Sequence, residues 1–376
     1  MKKELPDVLV VGAGFAGSVC AREIADAGFL VRVIDRRSHI GGNAWDETDL
    51  YGFLIHPYGP HIFHTNSRRI MQWLSRYTTW RFYEHRVLAY VNGDYFPIPI
   101  NRNTLCKVFG IKLEEEAEVE NFLLKLRESV SEIRTSEDII ISSVGRRLCD
   151  MFFRGYTRKQ WGLELSQLSP SVAARIPVRT NDDDRYFSDH FQFMPADGYG
   201  KLFQNILNHP KIEVVLERDY ADEPSREYVK HTVYTGQIDA FFEYCYGRLP
   251  YRSLRFEHFH VTGVAESEFV QPAPVVNFPG DEPFTRITEF KQLTGQRRAG
   301  SSLVREFPTN EGEPYYPVPT KENEQLFKEY QALQSKIENV SFVGRLAQYR
   351  YYNMDQVIGA ALTESRRIIE RLKVQR

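Results

Sequence analysis

Three histidines, His56, His61 and His64, fall within nine residues in the stretch HPYGPHIFHTNSRR. Imidazoles this close could ligate a metal, relay protons or line a binding site. A closed zinc centre wants four ligands, and the four cysteines (Cys20, Cys106, Cys149, Cys245) are scattered, with no C-x-x-C pair and no H-E-x-x-H. No metal is therefore expected.

A second set of residues points to a nucleotide. Gly12, Gly14 and Gly17 form G-x-G-x-x-G directly after the β-branched run DVLVV and before SVCAREIADAG, whose apolar positions suit a helix. Glycines there let the backbone approach a pyrophosphate, while the helix N–H groups and dipole face its charge. The next strand, LVRVID, ends in Asp35, which would accept ribose hydroxyls. The segment RRSHIGGNAWD, with Arg36, Gly41, Gly42 and Asn43, resembles the second glycine element of FAD-binding oxidoreductase-like domains. FAD is thus expected rather than a nicotinamide. Near the C-terminus VSFVG, ending in Gly344, leads through Arg345 to a helix over MDQVIGAALTESRRIIERL, whose first turn holds Met354, Gln356 and Val357. That helix N-terminus could stabilise negative charge on a reduced flavin.

These groups need a scaffold. The opening strand, turn, helix and strand make one βαβ unit of a parallel sheet. From Arg81 the pattern alternates through HRVLAYVNGDYFPIPI, and Asn92-Gly93 suits a type I′ hairpin turn. From about Thr104 to Gly162 the chain reads as helical, with Ile140, Val144, Leu148 and Met151 on one face and EEEAEVE a solvated turn. SPSVAARIPVRTNDDD reads as a loop able to move. KIEVVLE and HTVYTG read as buried strands, QIDAFFEYC as a helix, and short alternating strands recur from Leu249 to Pro308.

The expected class is α/β, in three parts discontinuous in sequence: a Rossmann-like FAD-binding domain (1–80, 195–245 and 318–376), a helical domain with a mobile loop (101–178), and an antiparallel sheet domain (81–100, 179–194 and 246–317). Two or three domains suit 376 residues. The net charge of −2 gives no bulk attraction to nucleic acid or membrane, though a few local arginines could hold a small anion. The N-terminal lysines and apolar run imitate a signal peptide, but Pro6, Asp7 and the spaced glycines break the likeness. No apolar run is long enough to span a bilayer, and the scattered cysteines suit a reducing, cytoplasmic setting.

Three stretches are too particular for packing alone: YGPHIFHT; FFRGYTRKQWG with ARIPVR after it; and EPYYPV followed by GRLAQYRYYNMDQV. Their order and spacing, with the N-terminal flavin pattern, resemble the UDP-galactopyranose mutase family over nearly the whole chain. The resemblance implies an isomerase that interconverts the pyranose and furanose forms of a UDP-sugar without net oxidation. In that family N5 of reduced FAD attacks the anomeric carbon, UDP leaves, and the opened sugar recloses through O4.

The resemblance also assigns residues. Arg175 matches a mobile-loop arginine and Arg286 a second diphosphate arginine, both suited to a UDP leaving group. Tyr186, Tyr316 and Tyr351 match tyrosines that hydrogen-bond the diphosphate. Phe152 and Tyr156 match aromatics flanking uracil, Asn277 a uridine contact, and Trp161 an active-site tryptophan. Arg252 is placed with the substrate set. His61 and His64 match a pair lining the flavin, with a proton-shuttle role open for His64; His56 reads as structural. The chain departs from the family at Asn353, where many members carry Asp, and at Glu84, His85 and Arg86, which lack an asparagine of some bacterial members. These differences leave the sugar open, including an N-acetylamino analogue or another nucleotide sugar. A flavin amine-oxidase-like enzyme and a catalytically silent nucleotide-sugar binder are the competing readings. By analogy the protein is a homodimer, with a separate reductant for its flavin.

Overall fold

The computed structural model describes residues 5–175 and 177–374. Five strands form a parallel sheet in the order Ile212–Val215, Val31–Ile34, Val8–Val11, His231–Tyr234, Val340–Phe342. Val8 pairs with both Val31 and His231, so the glycine turn after Val11 leaves from the middle of the sheet. Helices cover a parallel sheet on its faces, which is why its inner strands are buried at nearly every position. Of the two return strands, His231–Tyr234 is buried throughout, whereas Ile212–Val215 is the edge and only half-buried. QIDAFFEYC yields only the short turn Ile238–Phe241.

The helix Phe15–Asp26 starts at Gly14 and lies against the C-terminal helix Met354–Val374, with Cys20 Sγ 3.7 Å from Ala361 O. Two glycines are required by this packing. A Cβ on Gly17 would collide with Gly12 O, and Gly12, at φ +102°, would drive one into the Thr235 hydroxyl.

The second sheet has seven strands in the order Tyr316–Pro317, Tyr251–Val261, Ser301–Thr309, Arg286–Glu289, Val275–Asn277, Val87–Val91, Asp94–Ile98. Asn92 (φ +52°) and Gly93 (φ +88°) turn the Val87–Val91 hairpin, the paired positive φ values that a type I′ turn demands. All neighbours run antiparallel except Val275–Asn277 and Val87–Val91, which are parallel. A long crossover permits this, because most of the chain's middle lies between the two strands. A three-stranded sheet of Phe63–Thr65, Phe191–Pro195 and Trp80–Phe82 carries His64.

The helical segment departs from one continuous face. Helices Arg102–Phe109, Glu116–Leu126 and Ser136–Val144 are followed by a break at Gly145, where φ is +79° and a Cβ would strike Leu126 O. Beyond it come Arg146–Leu148, a π-helical turn Cys149–Arg154 and the helix Gly155–Trp161. The wide turn lets Phe152 and Phe153 both enter the core. Pro170–Arg175, expected as loop, winds into 3-10 turns; Ile176 of ARIPVR lies outside the described residues.

Candidate active site

A cavity of about 650 Å³ runs along the carboxyl ends of the parallel strands. Its walls include Gly12, Gly14, Asp35, Arg36, Gly41, Gly42, Asn43, His61, Gly344, Arg345, Met354 and Val357. Of the expected cofactor set, Gly17 supports the turn from beneath, and neither Gln356 nor His64 is among the walls. Gln356 instead accepts from Asn353 N at 2.9 Å and caps the last helix.

Asp35 accepts from Ala13 N (2.8 Å) and Arg37 N (2.9 Å), which fixes its carboxylate and still leaves lone pairs for ribose hydroxyls. Arg218, Tyr220, Arg226, Gln237 and Tyr244 close the far end. No local sequence signal marks that wall, because it is contributed by loops after two returning strands. The glycine cradle, the fixed carboxylate and the elongated cavity fit a flavin dinucleotide.

The histidines separate into three jobs. His61 Nδ1 lies 2.9 Å from Gly59 O, so it carries the proton, and Nε2 is left as an acceptor. Burial pushes its pKa down to about 4, against a smaller rise from Gly59, so the ring at the cavity wall is neutral. His56 is buried, its Nδ1 accepts from His61 N at 3.1 Å, and burial holds its pKa at about 3. It thus props the His61 backbone. His64 Nδ1 is 2.8 Å from Asp189 Oδ2, and its ring stacks on Phe187 with centroids 3.6 Å apart. Asp189, in turn, accepts from Asn66 Nδ2 at 2.7 Å. This carboxylate partner was not singled out from the sequence. Among the described residues no group of three or more His, Cys, Asp or Glu side chains is arranged to hold a metal.

Beside the cavity stands a set of arginines and tyrosines from four separate parts of the chain. The rings of Tyr316 and Tyr351 stack with centroids 5.0 Å apart, and Trp161 lies 6.2 and 6.1 Å from them. Arg175 packs its guanidinium 3.8 Å over Tyr351 and donates to Asn353 Oδ1 at 2.5 Å. Arg345, a wall of the cofactor cavity, lies 5.2 and 5.3 Å over Tyr316 and Tyr351. It joins the two regions. Its own position is set by the carbonyls of Tyr352 (2.8 Å) and Tyr315 (3.3 Å).

Arg286 is the register partner of both Asn277 and Glu306 and feels the hydroxyls of Tyr156, Tyr316 and Tyr351. The Asn277 Oδ1 atom is buried without a hydrogen bond among the described residues, whereas the buried Arg286 Nε faces the Glu306 carboxylate at 3.2 Å. Native buried polar atoms are nearly always satisfied, so an atom such as Asn277 Oδ1 marks a place for a ligand or water. Tyr186 donates its backbone N–H to His85 O at 2.7 Å, which ties the segment Glu84, His85 and Arg86 to the same cluster. Burial raises the Tyr156 and Tyr186 hydroxyl pKa values, keeping both as neutral donors.

Two expected substrate residues, and Glu84 of the segment that departs from the family, have surroundings within the protein. Arg252 is 5% exposed and spends its guanidinium on Gln160 O (2.9 Å), Lys159 O (3.0 Å) and Asn310 Oδ1. That is the end of the helix bearing Trp161, so the geometry makes Arg252 a support. Phe152 is 4% exposed and meets Phe96 edge-to-face at 5.5 Å. Glu84 pairs with Arg185 at 3.1 Å. Sequence reasoning also missed Glu306, buried at 2% and 3.2 Å from Arg286 Nε. Its signal was available: in SLVREFP, Glu306 alternates with Val304 on the buried side of a strand.

Comparison with known proteins agrees with this arrangement. The sequence profile of the family described as UDP-galactopyranose mutase matches residues 151–351, and that of an NAD(P)-binding Rossmann-like domain matches residues 10–77. A probable UDP-galactopyranose mutase of Klebsiella pneumoniae is 40% identical over 95% of this chain and 93% of its own. A dTDP-fucopyranose mutase of Escherichia coli is 37% identical over 94% and 96%. A crystal structure of reduced UDP-galactopyranose mutase superposes with a TM-score of 0.77 over 97% of this chain and 96% of its own, at 18% identity, which speaks for the fold. The dinucleotide cradle, the arginine–tyrosine cluster at its mouth and likeness along almost the full length agree: the chain belongs to the UDP-galactopyranose mutase family, a mutase whose cofactor is FAD.

Proposed function

We propose that the protein interconverts the pyranose and furanose forms of UDP-galactose, or of its N-acetylamino analogue, without net oxidation. Bound FAD in its reduced form supplies the nucleophile, N5, for the anomeric carbon. The side chains hold, orient and neutralise. Arg175 and Arg286 bind the diphosphate, whose negative charge grows as the glycosidic bond breaks. Tyr186, Tyr316 and Tyr351 donate hydrogen bonds to it, Tyr156 flanks the uracil with Phe152 packed in the core behind it, and Asn277 contacts the uridine. His61, neutral with Nε2 free to accept, orients the ring system at the cavity wall.

The reading rests on Arg345, which lines the dinucleotide cavity and lies over the tyrosines that pack against Arg175. A donor held by that cluster would present its sugar to the cofactor. In the same reading the three parts of the chain divide the work: the Rossmann-like part holds FAD, and the helical and sheet parts grip the nucleotide. The protein is taken as a cytoplasmic homodimer served by a separate reductant; no described helix is long and apolar enough to cross a membrane.

A dTDP-sugar is the second reading, favoured by the relative named dTDP-fucopyranose mutase. One experiment separates the two. Dithionite-reduced protein is incubated with UDP-galactofuranose and, separately, with dTDP-fucofuranose, and the products are resolved by ion-pair chromatography. Conversion of the first alone supports UDP-galactose, and of the second alone the dTDP-sugar. Conversion of neither, with oxygen uptake in the absence of dithionite, would replace both readings by an oxidase.

A further inference from the structure

We propose that Lys159 is a tethered cation in a cage of backbone carbonyls, and that this cage holds the loop between Asn277 and Arg286 in its nucleotide-binding shape. The proposal deepens the function given above and rests on it for the nucleotide.

The Lys159 ammonium lies 2.5 Å from Phe278 O, 2.8 Å from Gly280 O, 2.9 Å from Glu282 O and 3.1 Å from Phe284 O. An ammonium has three protons, so four carbonyls at these distances share them in the manner of oxygens around a potassium ion. All four belong to the connection between the strands Val275–Asn277 and Arg286–Glu289. Elsewhere the loop is tied to the sheet near its ends, where Thr285 N donates to Glu306 O at 2.9 Å and the rings of Phe278 and Phe284 lie 5.7 and 5.8 Å from those of Tyr90 and Phe307. Phe278 N bonds Thr285 O at 2.9 Å, and the rings of Phe278 and Phe284 meet edge-to-face at 4.9 Å. Four carbonyls pointing inward repel one another, and a cation at their centre removes that repulsion. Burial lowers the basicity of Lys159, and Glu282 and Asp281 oppose that fall.

The loop's two ends carry Asn277, whose Oδ1 is left for a ligand, and Arg286, whose Nε is already paired with Glu306. Lys159 sits on the helix Gly155–Trp161, with Tyr156 one turn earlier and Trp161 at the end. Helix and loop are in contact, since a Cβ on Gly155 would run into Pro279 O. Arg252 grips the same helix end from the other side through the carbonyls of Lys159 and Gln160. One cation therefore sets the distance between the aromatic side and the polar side of the nucleotide site. Lys159 is a positioning residue, acting through the loop.

The test uses the full-length protein loaded with FAD. Lys159→Ala opens the cage, and ammonium or potassium ions added to the buffer can refill it. Hydrogen exchange at residues 277–286 reads the loop without any nucleotide, and titration with UDP reads the site. In sodium buffer Lys159→Ala is expected to lose loop protection and to bind UDP roughly tenfold or more weakly. Ammonium should restore both, while tetramethylammonium, too large for the cage, restores neither. Gly155→Ala, which leaves the cation and pushes Pro279, should weaken UDP binding with no response to ammonium. It also serves if Lys159→Ala does not retain FAD. Unchanged loop exchange in Lys159→Ala, equal response to tetramethylammonium, or undiminished UDP affinity in Gly155→Ala would overturn the proposal. Wild-type protein that fails to bind UDP while the loop readout responds as expected would overturn the functional reading alone.

Discussion

Arg286 and Glu306 are register partners on neighbouring strands, and the guanidinium Nε lies 3.2 Å from the carboxylate. Burial raises the Glu306 pKa and Arg286 opposes the rise, while Glu306 is among the groups that raise the pKa of Arg286. The arginine proposed to meet the diphosphate is therefore partly neutralised before any ligand arrives. Glu306→Gln keeps the shape and removes the charge. UDP should bind about three to tenfold more tightly, because the guanidinium no longer shares its charge with a buried carboxylate. Calorimetric UDP titration checks this; unaltered affinity would mean that Arg286 and the diphosphate do not meet.

Arg175 meets Asn353, a neutral amide, and the face of Tyr351. Neither cancels its charge. Arg175→Ala should leave FAD bound, as judged by the visible spectrum, and lower turnover by orders of magnitude, since a charge-assisted contact to a desolvated phosphate contributes roughly 1.5–3 kcal/mol or more. Full turnover in this variant would remove Arg175 from the mechanism. Asn353→Asp adds a competing anion and should weaken UDP binding about three to thirtyfold, an effect that rising salt would reduce.

Acid should unfold the protein through its buried imidazoles. His56 and His85 are held at about 3, and His61 and His231 at about 4, against 6.5 for a free side chain, in each case chiefly by burial. Between about pH 4 and 6.5 the unfolded chain binds protons that the folded chain does not, so stability rises with pH across that window. The contribution is complete above 6.5 and is lost as the pH falls toward the folded values. For fully buried His56 it amounts to roughly 4–5 kcal/mol. Urea unfolding at a series of pH values gives the slope, and His56→Gln should reduce proton uptake by about one. An unchanged slope would show that His56 does not titrate in this way.

The local features of the fold were legible. The glycine turn and Asp35 depend on residues adjacent in sequence, and the Asn92-Gly93 hairpin depends on two positive φ values that those residues adopt readily. The helical face read from Ile140 to Met151 is instead interrupted, because Gly145 approaches Leu126 O, a neighbour from another helix. The same limit applies to the site. Arg286 and Arg175 were found through the family's motifs, but Arg286's partner Glu306 and the carbonyls around Lys159 come together only when distant strands and helices pack. Arg252 illustrates the converse: its type suited a phosphate, and its surroundings are three carbonyl or amide oxygens of the fold itself.

The parallel pairing of Val275–Asn277 with Val87–Val91 also has a consequence for synthesis. The hairpin leaves the ribosome with one edge bare, and the strand that covers it follows roughly 180 residues later, about 10–40 s at ordinary elongation rates. During that interval the open edge can pair with any extended segment, a hazard for aggregation. Asn277 belongs to that late strand, so the proposed nucleotide site is incomplete until most of the chain has emerged.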